Sequence, residues 1–198
     1  MAREARRPIK CLVFGASLRQ ASLNNRLASL AADVAEEQGA IVDRANMRDF
    51  DCPPYDADVE HADGLPGPAR ELCRRIKESD AFIISSPEYN ASMPGHLKNA
   101  IDWASRPATG SPLRGKPAAL MGASSGMSGT IRAQLSLRQC FVFTQTLVLP
   151  APEVLIPRAA ERFDSEGKML TDESTRELIR KALRALVEWT QRVRTPQG

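Results

Sequence analysis

The chain has 198 residues, 42% of them hydrophobic, which is enough for one sizeable core over 1–198 and ordinary for a folded domain. No apolar run nears the roughly 20 residues of a membrane span, so no membrane role is expected. The net charge is +3, and Arg3, Arg6, Arg7 and Lys10 against Glu4 account for all of it. The excess is therefore a short basic arm at residues 1–9 and its edge, not a nucleic-acid-binding face.

Cys11, Cys52, Cys73 and Cys140 are scattered without a CxxC pair, and His61 and His96 are the only histidines. That pattern offers no metal site, and free thiols without an export signal point to the cytoplasm.

Lys10–Phe14 reads as a buried strand. Leu23, Leu27, Leu30, Ala31 and Val34 then recur at helical spacing as far as Gln38, and Gly39 ends that helix. Ala40–Ala45 reads as a short strand. Residues 46–66, acidic and Pro-bearing, read as a long surface loop. A helix at Pro68–Ser79 and an apolar strand at Ala81–Ile84 follow.

The polar loop Ser85–Ser92 leads into a helix at Pro94–Arg106. Pro94 suits its first position and Ser92 is placed to cap it. Pro107–Lys116 reads as a turn segment, Pro117–Gly122 as a strand and Ala123–Gly129 as a loop. Next come a helix at Thr130–Phe141 and a fifth strand at Thr146–Leu149. Residues 150–171 read as irregular, with a turn at Ser165–Gly167. The last helix spans Asp172–Arg194.

Five strands alternating with helices predict an α/β fold, a doubly wound parallel sheet of flavodoxin-like order 2-1-3-4-5 with helices on both faces. Ligands in such sheets sit at the carboxyl ends of the strands. Three loops converge there. The first carries Ser17, Arg19, Ser22 and Asn24 at a helix N-terminus, where unpaired N–H groups favour phosphate. It lacks both GxxxxGK[ST] and GxGxxG, so a monophosphate is the better reading. The alternative is that Ser22 only caps the helix and Arg19 is solvated. The second loop carries Pro87, Glu88, Tyr89 and Asn90, and the third Ser124, Ser125 and Gly126. A phosphate at one end and a flat ring between two loops describes FMN.

The motifs SLRQASLN (Ser17–Asn24) and PEYNASMPGHLKNAIDW (Pro87–Trp103) resemble those of the NADPH-dependent FMN reductase family, nearest to its bacterial quinone and chromate reductase branch. YDADVE, GKP and LRQ extend the likeness over most of the chain. The resemblance implies an FMN phosphate on Ser17, Arg19, Ser22 and Asn24. It implies a flavin ring against Pro87, Glu88, Tyr89 and Asn90, largely through backbone atoms. Ser124, Ser125 and Gly126 would form the third flavin loop, with Ala123 where the family often has a hydroxyl. NADPH or NADH would be the co-substrate and a quinone-like small molecule the acceptor, in ping-pong fashion and without a catalytic side chain. Chromate, azo or nitro compounds are further possible acceptors. The resemblance also implies a homodimer or homotetramer, with Trp103, Arg106, Arg132 and the helix at 130–141 as interface candidates. A flavodoxin-type electron carrier, a free-flavin reductase and a flavin-binding module without turnover are the rival expectations.

Overall fold

The computed structural model describes residues 7–164 and 172–193. The expected turn at Ser165–Gly167, the end of the last helix at Arg194, and Arg3 and Arg6 of the basic arm lie outside them.

Five strands form a parallel sheet in the order β2-β1-β3-β4-β5. They are β1 (Lys10–Gly15), β2 (Ile41–Asn46), β3 (Ala81–Ser85), β4 (Pro117–Ala123) and β5 (Leu147–Val148). β1, β3 and β4 are central and read as unbroken apolar runs, because helices cover both of their faces. Alternate residues face opposite ways. Cys11, Val13 and Ile83 join the core under α1 (Leu23–Glu37) and α6 (Glu173–Val193). Leu12, Phe14 and Phe82 join the core under α3 (Gly67–Glu78), α4 (Gly95–Ala104) and α5 (Ile131–Phe143).

Two segments differ from expectation. Residues 46–66 are not a plain loop: a 3-10 turn at Met47–Phe50 and a short helix α2 (Ala57–Asp63) lie within them. Met47 and Phe50 are fully buried, and Phe50 meets the Phe14 ring edge-on at 5.3 Å. The fifth strand is also interrupted. β5 pairs with Pro117 and Ala118, the chain leaves the sheet at Pro150 and Pro152, and β6 (Val154–Ile156) then pairs with Met121–Ala123. Proline has no N–H to give a ladder, so the break falls there.

Ser92 does not cap α4. Pro94 itself is the N-cap, without a side-chain bond, while Ser92 closes a turn with Tyr89. Trp103 is fully buried within the chain, so it offers no surface to the interface expected of it. Its Nε1 donates to Pro53 O at 2.8 Å, and its ring packs against Tyr55. Arg106 joins this small cluster, its guanidinium 4.9 Å from the Tyr55 ring centre.

Candidate flavin site

β1, β3 and β4 end side by side at Gly15, Ser85 and Ala123, and the three polar loops leave from these ends. The sheet register therefore brings the candidate residues to one edge.

In the first loop, Ser22 is the N-cap of α1, with its Oγ accepting from Asn24 N at 3.2 Å. Ser17 Oγ accepts from Arg19 N at 3.3 Å. Both serines are buried, and among the described residues neither hydroxyl hydrogen meets an acceptor in the chain. Arg19 is exposed, and its guanidinium has no partner among the described residues. In the first turn of α1, the N–H groups of Leu23 and Asn25 also lack a partner there. Two unused hydroxyl donors, helix N–H groups and a free cation fit a phosphate.

The side chain of Asn24, expected on the phosphate, is engaged within the chain. Its Nδ2 donates to Ala123 O at 2.9 Å, and its Oδ1 accepts from Ala123 N at 2.9 Å and Ser85 Oγ at 3.1 Å. The side-chain amide thus ties the start of α1 to the ends of β3 and β4.

In the second loop Pro87 is buried, and Tyr89 and Asn90 are exposed. Tyr89 and Ser92 exchange two backbone hydrogen bonds of 3.0 Å, which close a turn with positive φ at Asn90 (49°) and Ala91 (60°). Such a turn favours Asn and Gly, so Ala91 is held there by its surroundings. Glu88 turns its carboxylate onto α5: it accepts from Arg132 N at 3.0 Å, Ala133 N at 3.4 Å and Arg132 Nε at 2.7 Å. The N-cap residue Thr130 offers α5 no side-chain bond, so Glu88 caps that helix from 44 residues away. Burial alone would raise the Glu88 carboxyl. The Arg132 side chain and the two backbone N–H groups outweigh it and hold the group below its ordinary range. Only the backbone of Glu88 remains for a ligand.

In the third loop Ser125 and Gly126 are exposed. Ser124 Oγ is occupied within the loop, donating to Gly126 O at 3.0 Å and accepting from Gly129 N at 2.9 Å. The thiols take no part here: burial pushes Cys52 and Cys73 up to about 11, and both stay protonated at neutral pH.

Glu88 aside, the bracing residues around these loops escape a reading of the sequence. Asn25 beside Asn24 carries a weak signal as an amide at a helix start. Arg48 carries none, lying in a stretch whose composition reads as coil.

Fold and loops together define a flavodoxin-like α/β protein. A flavodoxin from the Archaea superposes with a TM-score of 0.58 at 14% identity, a likeness of fold alone. Residues 9–161 match the family model for NADPH-dependent FMN reductases, and the chain belongs to that family. It is 43% identical over 186 residues to the NAD(P)H-dependent FMN reductase of Pseudomonas aeruginosa, covering 94% of this chain and 97% of that protein. It is 35% identical over 178 residues to a quinone reductase of Escherichia coli, covering 90% and 93%. Among solved structures it resembles FerB, a flavoenzyme NAD(P)H:(acceptor) oxidoreductase from Paracoccus denitrificans. That match has a TM-score of 0.81 and 34% identity, with 93% and 98% of the two chains covered.

Proposed function

We propose that the chain binds FMN across the carboxyl ends of β1, β3 and β4 and carries reducing equivalents from NAD(P)H to a quinone-like small molecule in two half-reactions. The observation that carries this reading is the donor set at the start of α1, where, among the described residues, the hydroxyl hydrogens of Ser17 and Ser22 and the side chain of Arg19 are uncommitted beside unpaired helix N–H groups. The names of the relatives, an FMN reductase and a quinone reductase, support it.

Bound flavin supplies the reversible gain and loss of hydride. The chain supplies position. Ser17, Ser22 and Arg19 would hold the phosphate. The backbone from Pro87 to Asn90, with Ser125 and Gly126 opposite, would hold the ring. Tyr89 is half exposed and presents an aromatic face to whatever approaches. The site needs no acid or base side chain, and one open face serves donor and acceptor in turn. Among the described residues no helix is long and apolar enough to cross a membrane.

A second copy completes the proposal. α5 exposes Ile131, Leu135, Val142 (78%) and Phe143 (84%), beside a cavity of about 470 Å³ lined by Lys98, Ile101, Asp102, Cys140 and Phe143. So much exposed apolar surface on one helix supports a contact with a second copy.

The test is a visible spectrum of the purified protein followed by anaerobic NADPH. Flavin bands that bleach promptly and return on adding a quinone are the expected outcome. Bands that NADPH leaves unchanged would favour an electron carrier instead.

A further inference from the structure

The carbonyls of the loop after β1 are held from outside the loop, one after another, and that of Arg19 also accepts from Ser22 N at 3.2 Å. His96 on α4 brings Nε2 to Ala16 O at 3.1 Å. A carbonyl only accepts, so that nitrogen carries the proton. Asn25 on α1 uses both amide hydrogens, on Ser17 O at 3.2 Å and on Arg19 O at 2.9 Å. Arg48, from the 3-10 turn after β2, donates Nη2 to Leu18 O at 2.8 Å. That turn is itself fixed: Asn46 Oδ1 accepts from Arg48 N, and Asp49 accepts from Asn46 N.

A trans peptide sets its N–H opposite its C=O. Turning the carbonyls of residues 16–19 to their braces therefore turns the N–H groups of Ser17, Leu18, Arg19 and Gln20 the other way. Arg19 N meets Ser17 Oγ, while those of Ser17, Leu18 and Gln20 have no acceptor in the chain among the described residues.

We propose that Asn25, Arg48 and His96 are positioning residues that pre-form this loop for the FMN phosphate. They set the preference for FMN over riboflavin without touching either. This rests on the phosphate reading above. A loop whose carbonyls are already held need not be ordered when the anion arrives, so its N–H groups act at full strength.

The test uses the full chain stripped of flavin and titrated separately with FMN and with riboflavin, following flavin fluorescence. The variants are Arg48→Ala, Asn25→Leu and, as the rescue, Arg48→Lys, with melting temperatures confirming that each is folded. Arg48→Ala and Asn25→Leu should each lose roughly tenfold in FMN affinity, the scale of one charged hydrogen bond, and Arg48→Lys should regain most of it. Riboflavin affinity should stay within about twofold, because riboflavin lacks the group the loop receives. Equal losses for both flavins would reduce the braces to general stability and overturn the proposal, as would no loss for either. A wild-type protein that binds both flavins equally would instead overturn the phosphate reading itself.

Discussion

Asn24 and Asn25 are neighbours on the first turn of α1, yet they serve different partners. Asn24 holds the ends of β3 and β4, while Asn25 holds the loop before its own helix. Gly122 shows the same dependence on distant partners. A Cβ there would stand 1.6 Å from Thr130 Oγ1 and 3.0 Å from Ser86 O, so β4 and the start of α5 approach as closely as they do only because the residue is glycine. Thr130 cannot easily give way, since it is buried with φ at 66°. Gly122→Ala should cost about 1–3 kcal/mol, the range for overpacking. In urea melts, adding Thr130→Gly should recover part of that loss, because it removes the clashing hydroxyl and relieves the positive φ. Recovery of nothing would place the clash at the Ser86 carbonyl instead.

α5 is a helix whose start depends on another loop. Its own N-cap gives no bond, and two of its first N–H groups go to Glu88. A second tie, Met93 N to Ser136 Oγ at 3.0 Å, fastens the far end of the same loop. The strained turn at Asn90 and Ala91 hangs between these two anchors. Glu88→Ala leaves the N–H groups of Arg132 and Ala133 unpaired and should lower stability by about 0.5–2 kcal/mol, the range for a lost helix cap. Glu88→Gln keeps an acceptor but loses the charge, so it should fall between the two. The pH dependence has a defined sign. The Glu88 carboxyl lies below its ordinary value in the folded chain, so its stabilisation is complete above that value and is lost as pH falls through the folded one. The gap between wild type and Glu88→Gln, read from denaturation midpoints, should close in acid. A gap that stays constant down to the acid limb would show that the charge is not the source.

The two ends of α5 have different neighbours in the whole molecule. One end meets the candidate flavin loops through Glu88, and the other exposes Val142 and Phe143. If that outer face is the contact with a second copy, Phe143→Glu places a charge in it, and burying an unpaired charge is strongly unfavourable. Sedimentation should then show a dimer for wild type and a monomer for the variant. A wild-type monomer would remove the interface reading while leaving the flavin reading intact. Glu88 and Arg132 join the two regions through one helix, so flavin content of the Phe143→Glu protein is worth recording in the same experiment.

Continuous apolar runs determined β1 and β3, and apolar residues at helical spacing determined α1, α3, α4 and α6, whereas β4, built of Ala and Met, is a weak strand by propensity that its place between β3 and β5 settles. Periodicity is a local property, and burial on one or both faces is written directly into it. The loops that carry the candidate site were legible for the same reason, since each follows a recognisable strand. What the sequence alone could not determine was set by contacts between distant residues. Met47 and Phe50 sit in an acidic, Pro-bearing stretch and look like coil until Phe14 and Arg75 are packed against Phe50. Pro150 and Pro152 split the last strand only because β4 is long enough to pair with both pieces. Whether Asn24 faces a phosphate or the backbone of Ala123, 99 residues away, is likewise decided by the fold. A hydrogen bond depends on where its partner stands in space, and local pattern carries no record of that.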